Sequence, residues 1–376
     1  MIRSLVMKVK FFDYPRQFTE FEDTYVDIIK DTFIRGQYIL GPELESFEQN
    51  LAEFVGAEYA IGVGNGTDGI LLSLYAAGIG LGDEVISVSH TFVATIEVIV
   101  ALGANPVFVD IADDHNMDVD QVKSAITSRT KAIVPVQLNG RICSNMGHLV
   151  EIAEAHNLII IEDAAQSIGA KYGGATAGTF GMAGCYSFYP AKILGTFGDA
   201  GAIITDDTDL ALRLRMIRNH GRGEHGEVEL WGLNSRMDNV HAAILNYRLT
   251  LLDKYIDRRR EIARIYNDGL SGISELRLPP PPEEEEDHFD VFQNYEIEVE
   301  NRDGLADYLG EKGIEVAVQW GGKGVHQFKA LGLGDVKLPR TEELFRKALL
   351  LPIDPGLEDE QVDYVIQSIR QFTTTT

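Results

Sequence analysis

A chain of 376 residues with 45% hydrophobic content is long enough for a large folded core and too apolar for a disordered polymer. Its formal net charge of −25 argues against nucleic acid or an anionic membrane as partner, and leaves any anionic ligand to be met by local groups. The two cysteines, Cys143 and Cys185, exclude a disulfide framework and a four-cysteine zinc site. His90, His220 and His241 are scattered without metal-ligand spacing, so no metal is expected. The first ten residues hold no apolar run of signal-peptide length, and no segment reaches the ~18 to 20 continuous apolar residues of a membrane span. A soluble, cytoplasmic protein is expected.

Phe21, Tyr25, Ile28, Ile29 and Phe33 share one helical face, which predicts a helix over 18–35 with Gly36 as its stop. A second helix is predicted after Gly41-Pro42, with Leu44, Phe47, Leu51 and Phe54 at helical spacing. The chain then alternates: strand 59–63, helix 67–77, strand 84–88, helix 95–102, and strands 106–109, 131–137 and 158–162 with helices between. This alternation predicts a mostly parallel sheet covered by helices, an α/β fold. Ligands of such sheets bind beyond the carboxyl ends of the strands, where Asn65, Ser89, Gln137 and Asp163 fall. Strands are expected at 184–188 and 201–205, then a long helical region over 237–270. The stretch 279–287, four prolines followed by acidic residues, is expected to be an exposed loop. A strand over 291–299 and helices over 302–312, 341–350 and 358–371 predict a smaller α+β unit, with 373–376 frayed. The expected division is 1–250 for the large domain and 251–376 for the small one.

Two stretches carry the chemistry. Cys185 to Gly201 holds one lysine, Lys192, among apolar, small and hydroxylated residues, with Ser187 five residues before it. Desolvation disfavours the ammonium form, which frees the amine for Schiff-base chemistry; the plainer alternative is a surface lysine on a glycine-rich turn. The earlier stretch, Leu158 to Gln166, reads as a buried strand ending in Asp163, which could equally be a helix N-cap. A carboxylate at a strand end with a downstream lysine suits a cofactor with a pyridinium nitrogen and an aldehyde. Gly64-Asn-Gly-Thr-Asp68 stands between a strand and a helix start, where free N–H groups favour a phosphate.

With Tyr186-Ser-Phe-Tyr-Pro-Ala-Lys192, Glu162-Asp-Ala-Ala-Gln-Ser167, Gly198-Asp-Ala-Gly201 and Gly232-Leu-Asn-Ser-Arg-Met237, these motifs stand in one order and spacing. The chain resembles the sugar-nucleotide aminotransferases of the DegT–StrS group, enzymes of fold type I that use pyridoxal 5′-phosphate, over 12–372. The resemblance implies that Gly66, Thr67 and Ser187 hold the cofactor phosphate, with Asn234 reaching it from the neighbouring subunit of a homodimer with shared active sites. It implies that Asp163 pairs with the ring nitrogen, Gln166 lies near the ring hydroxyl, Phe92 stacks on the ring, and Lys192 is the Schiff-base lysine and proton shuttle. Arg236 and His326 are implied on the substrate side. For Phe92 and His326 the plainer alternatives are a core phenylalanine and a surface histidine. The implied reaction moves an amino group from an amino acid, L-glutamate by analogy, to a nucleotide-linked keto sugar, with pyridoxamine 5′-phosphate as the intermediate carrier. The amino sugar would serve a surface polysaccharide, lipopolysaccharide among them, or a natural product. The alternatives are a sugar dehydratase or lyase of the same superfamily and a non-catalytic regulatory homologue. Ser235, Asn139 and Asn145-Met146 depart from the usual motifs, and these departures are expected to bear on sugar identity rather than cofactor chemistry.

Overall fold

The computed structural model describes residues 7–282 and 287–375; residues 283–286, within the expected acidic loop, lie outside the described residues. The main layer is built from β1 (Tyr59–Val63), β2 (Glu84–Val88), β3 (Asn105–Val109), β4 (Thr130–Val134) and β5 (Ile159–Asp163). After a small hairpin, β6 (Lys171–Tyr172) and β7 (Ala175–Thr176), come β8 (Ala183–Ser187) and β9 (Gly201–Thr205). The order across the sheet is β1-β9-β8-β5-β4-β2-β3. From β3 to β8 all pairings are parallel, while β9 runs antiparallel to both β1 and β8. The mostly parallel sheet read from the alternation is present, and β9 is its one reversed strand among the described residues.

This topology collects the motif residues at one edge. Parallel β5 and β8 deliver Asp163 and Ser187 to the same end of the sheet. Because β9 is reversed, its first residue reaches that end too: Gly201 pairs with Ser187 on one side and with Val63 on the other. The chain leaving β1 enters the helix Gly66–Ala76, capped by the Asn65 side chain, which accepts from the Asp68 N–H at 2.8 Å. Three Ile residues open β5, a β-branched run suited to burial on both faces. Glu162 beside them is fully buried, and burial pushes its carboxyl up. Even so, it accepts from Gln137 Nε2 (2.7 Å) and the N–H groups of Gly178 and Phe180 (2.9 and 2.7 Å).

A second sheet, β10 (Leu276–Arg277), β12 (Tyr295–Val299) and β13 (Ala348–Leu351), is antiparallel, while β11 (His288–Phe289) pairs with β6. Its core includes Tyr266, Tyr295, Leu305 and Val362. Among the described residues no helix is long and apolar enough to cross a membrane.

Several predicted boundaries move. The helix expected over 18–35 is two, Tyr14–Thr19 and Glu22–Arg35, and 237–270 divides into Asn239–Leu249 and Leu252–Leu270. The helix expected over 341–350 ends at Lys347, and the run Ala348–Leu351 is instead the buried strand β13 paired to β12. Consecutive apolar residues read alike for a helix end and a buried strand; the pairing to β12 decides it. The strand expected over 291–299 begins only at Tyr295, because Phe292 takes a φ of +50° and the next two side chains reach across to the large sheet. The last helix, Asp359–Thr375, continues through most of the stretch expected to fray.

Candidate active site

Asp163 is 7% exposed at the end of β5. Its Oδ2 accepts from Thr95 Oγ1 at 2.6 Å and its Oδ1 from the Ala165 N–H at 3.2 Å. Thr95 lies in the first turn of the helix Val93–Ala101 and shares a hydroxyl contact of 2.7 Å with Thr91. Burial raises the Asp163 carboxyl above its ordinary range, with Thr95, Ala165 and the nearby Lys192 charge opposing. Burial likewise pulls the Lys192 amine down to about 8, with Asp163 opposing. The two groups form a desolvated acid–base pair in which each is driven toward its neutral form. A cation placed against Asp163 would reverse that for the acid.

The lysine is held from both sides by a residue of the other layer. Gln293 accepts from the Ile193 N–H (3.0 Å) through Oε1 and donates to the Ala191 carbonyl (2.9 Å) through Nε2. No local pattern in the sequence singles out Gln293, which stands a hundred residues from the lysine.

Gly66 lies against Ser187: a side-chain carbon built on it would fall 2.8 Å from the Ser187 Cβ. A Cβ on Gly201 would fall 2.7 Å from the Gly66 nitrogen. Both glycines are therefore required for a tight cradle at a helix N-terminus, whose N–H groups and dipole favour a phosphate. Thr67 occupies the second position of that helix. Phe92 precedes the helix Val93–Ala101 and is 55% exposed, so it is no core residue in this chain and is open to stack on a ligand. Gln166 Oε1 accepts from the Asn139 N–H at 2.9 Å and from Asn294 Nδ2 at 3.2 Å. A buried acid, an amine of lowered pKa and an anion cradle at one sheet edge fit a pyridine ring bearing an aldehyde and a phosphate.

Of the remaining sequence candidates, Asn234 and Arg236 flank Ser235, whose Oγ meets the cradle loop, and His326 meets Ser89. Asn234 is exposed, its backbone bridged to Asn219, in a stretch where Trp231 and Leu233 are also exposed. Arg236 donates to Asn219 Oδ1 at 3.1 Å. His326 is buried, with Nδ1 against Ser89 Oγ at 2.6 Å and Nε2 against Glu342 at 3.4 Å. Both ring nitrogens are engaged at the junction of the layers. His326 is thus not a surface histidine.

Two departures from the usual motifs touch residues expected to hold the cofactor. Ser235 Oγ accepts from the Gly64 N–H (3.0 Å) and donates to Asp68 Oδ2 (2.6 Å), fastening the cradle loop. Asn139 takes a left-handed φ of +58°, which Asn tolerates, and holds Gln166 in place. The cavities differ in charge. One, about 760 Å³, has Asn139 and Asn294 at its wall and Asp113, Asp114, Asp118 and Asp120 around it.

The chain matches the family model described as the DegT/DnrJ/EryC1/StrS aminotransferase family over residues 20–370. It is 39% identical over 371 residues to a "Pleiotropic regulatory protein" of Geobacillus stearothermophilus, covering 97% of this chain and 99% of the relative. It is also 39% identical over 375 residues to a dTDP-3-amino-3,4,6-trideoxy-alpha-D-glucose transaminase of Streptomyces venezuelae, covering 98% and 97%. Its fold is similar to the crystal structure of DesV of S. venezuelae in complex with a ketimine intermediate: TM-score 0.93, 39% identity, 97% of this chain and 98% of that one. It is also similar to NtdA of Bacillus subtilis with bound cofactor PMP, with a TM-score of 0.90 and 30% identity over 99% of this chain and 86% of that one. The chain belongs to the DegT/DnrJ/EryC1/StrS aminotransferase family.

Proposed function

We propose that the protein is a pyridoxal 5′-phosphate-dependent aminotransferase that moves an amino group from L-glutamate to a nucleotide-linked keto sugar. The observation that carries this reading is the buried Asp163 with the half-buried Lys192, set beside the Gly66–Ser187–Gly201 cradle. When bound, the cofactor supplies an aldehyde that takes up the amino group and a ring that accepts the electron pair left on the substrate carbon. Gly66, Thr67 and Ser187 hold its phosphate. Asp163, fixed by Thr95, keeps the ring nitrogen protonated, since a carboxylate and a cation each stabilise the other's charged form. Gln166, fixed by Asn139 and Asn294, holds the ring hydroxyl, and Phe92 covers one ring face. Lys192 Nζ takes the proton from the donor carbon and delivers one to the sugar carbon; with an amine near 8 it can do both at neutral pH.

The substrate class is supported by the relatives' names, which include dTDP- and UDP-linked amino-sugar transaminases. The product would enter amino-sugar biosynthesis for a surface polysaccharide or a natural product. A homodimer with shared sites is the second part of the proposal. It is supported by the exposed Phe33, Ile34, Tyr38, Trp231 and Leu233, apolar side chains that a second copy would cover. In that arrangement Asn234 and Arg236 act on the partner's site.

The decisive experiment supplies nitrogen-labelled glutamate with a panel of nucleotide-linked 3-keto and 4-keto sugars and reads the products by mass spectrometry. Label in the sugar is expected. Unlabelled, deoxygenated sugar would make the protein a lyase, and no conversion across the panel would favour the regulatory role named for the Geobacillus relative.

A further inference from the structure

Behind the lysine loop lies a smaller cavity of about 230 Å³, between the helix Tyr14–Thr19 and the helices Asn239–Leu249 and Leu252–Leu270. Its wall carries Arg16, Lys192, Arg248, Lys254, Arg258 and Arg259. Asp13, Glu20 and Asp354 also line it, the Lys192 amine belongs with Asp163, and Arg258 is paired with Glu261 and Asp359. The buried cations left in this wall, Arg248 and Arg259, lie in a chain of formal charge −25. The larger cavity, with its cluster of aspartates, has the opposite character.

Two of these guanidinium groups are buried with hydrogen bonds unmade. Arg248 is 4% exposed, and neither its Nε nor its Nη1 has a partner. Its one aromatic neighbour in cation–π range is the Tyr255 ring, with the centroid 5.8 Å away. Arg259 is 3% exposed; its Nη1 donates to the Phe292 and Gln293 carbonyls (3.1 Å each), and its Nε is unpartnered. Burial lowers Arg259 to about 10, with Asp354 opposing and Arg248 adding to the fall. Two buried cations that repel each other, with Arg248 Nε and Nη1 and Arg259 Nε lacking acceptors, are costly unless an anion lies between them.

We propose that this cavity is a binding site for a small dianion bearing carboxylate or phosphate oxygens, held between Arg248 and Arg259. Its volume is below the roughly 300–1,000 Å³ of pockets for drug-sized ligands, so a nucleotide sugar does not fit and a dicarboxylate or inorganic phosphate does. Occupancy is coupled to the catalytic loop, because Arg259 holds the Gln293 backbone and the Gln293 side chain grips both neighbours of Lys192. The binding site stands on its own observations; its effect on transamination rests on the function proposed above.

The test uses the cofactor-loaded protein, so that phosphate does not enter the cradle, at fixed ionic strength. Glutarate, a dicarboxylate without an amino group, and inorganic phosphate are each titrated by calorimetry. At least one is expected to bind once per chain, and Arg248→Gln is expected to weaken it tenfold or more while Arg248→Lys retains most of it. Lys254→Gln, an exposed change that does not threaten folding, is expected to weaken binding severalfold. Binding of glutarate together with a raised glutamate KM at unchanged kcat in Arg248→Gln identifies the site's ligand as the donor dicarboxylate. Binding of phosphate alone identifies free phosphate. A wild-type protein that binds neither, or binding that is equal in all three variants, overturns the proposal. Labelled amino sugar formed by a protein that binds neither anion removes this site and leaves the aminotransferase reading. Anion binding without amine transfer does the reverse.

Discussion

Thr95 shows what a single side chain adds to this site and why it escaped the sequence. Its hydroxyl is one of two donors on Asp163, and Asp163 reaches it only because β5 ends, and the helix Val93–Ala101 begins, at the same sheet edge. Lys192 and Asp163 were legible because each lies in a stretch of distinctive local composition. Thr95, Gln293 and Ser235 act across 68, 102 and 171 residues of chain, so their roles come from register that local pattern does not encode. Thr95→Val is expected to leave the fold intact and weaken cofactor binding about ten- to a hundredfold, matching the ~1.5–3 kcal/mol of a hydrogen bond to a charged group. Thr95→Ser is expected to restore it. Absorbance titration of the apo-protein with pyridoxal 5′-phosphate measures both, and equal affinity in all three proteins would remove Thr95 from the site.

Between elements, the junction of β12 with the large sheet is held by charge. His115 lies in the loop between β3 and the helix Val119–Ala125, at a left-handed φ of +63°. Its Nδ1 pairs with Glu296 (2.9 Å) and its Nε2 with Glu298 (3.2 Å), both on β12. Burial disfavours the imidazolium, but the two carboxylates more than offset it and raise His115 to about 9. Glu296 also accepts from Asn139 Nδ2 at 3.1 Å, so the ion pair and the Gln166 support meet in one network. Alternation announced the large sheet and one strand of the small one, whereas this junction was invisible: a lone histidine in a loop gives no hint of two carboxylates far along the chain. The sign of the pH dependence follows from the raised value. The contribution is fully present below the unfolded pKa of about 6.5 and is lost as pH rises through about 9. Its full size is about 3 kcal/mol, at ~1.4 kcal/mol per unit. Thermal unfolding across pH 6 to 10 is expected to show wild-type stability declining through this window. His115→Asn, which suits the positive φ, is expected to start lower and lose that part of the slope. Parallel profiles would show that His115 is not the group responsible.

At the scale of the whole molecule, Asn234 and Arg236 stand on either side of Ser235, which fastens the cradle loop, and beside exposed apolar side chains. A two-fold dimer with an isologous interface places the same stretch of each chain at the other's site. Complementation separates this from a site built within one chain. Lys192→Ala lacks the amine but keeps Asn234, and is expected to lose ~10²- to 10⁴-fold or more in turnover. Asn234→Ala keeps the amine and is expected to bind cofactor weakly in both of its sites. When the two are unfolded, mixed in equal amounts and refolded, half of the dimers are hybrids. In each hybrid, the Lys192 of one chain meets the Asn234 of the other in one intact site. Measured at limiting cofactor, the mixture is then expected to reach about one quarter of wild-type activity, well above either parent. If Asn234 serves its own chain, no combination assembles an intact site, and the mixture stays at the mean of its parents.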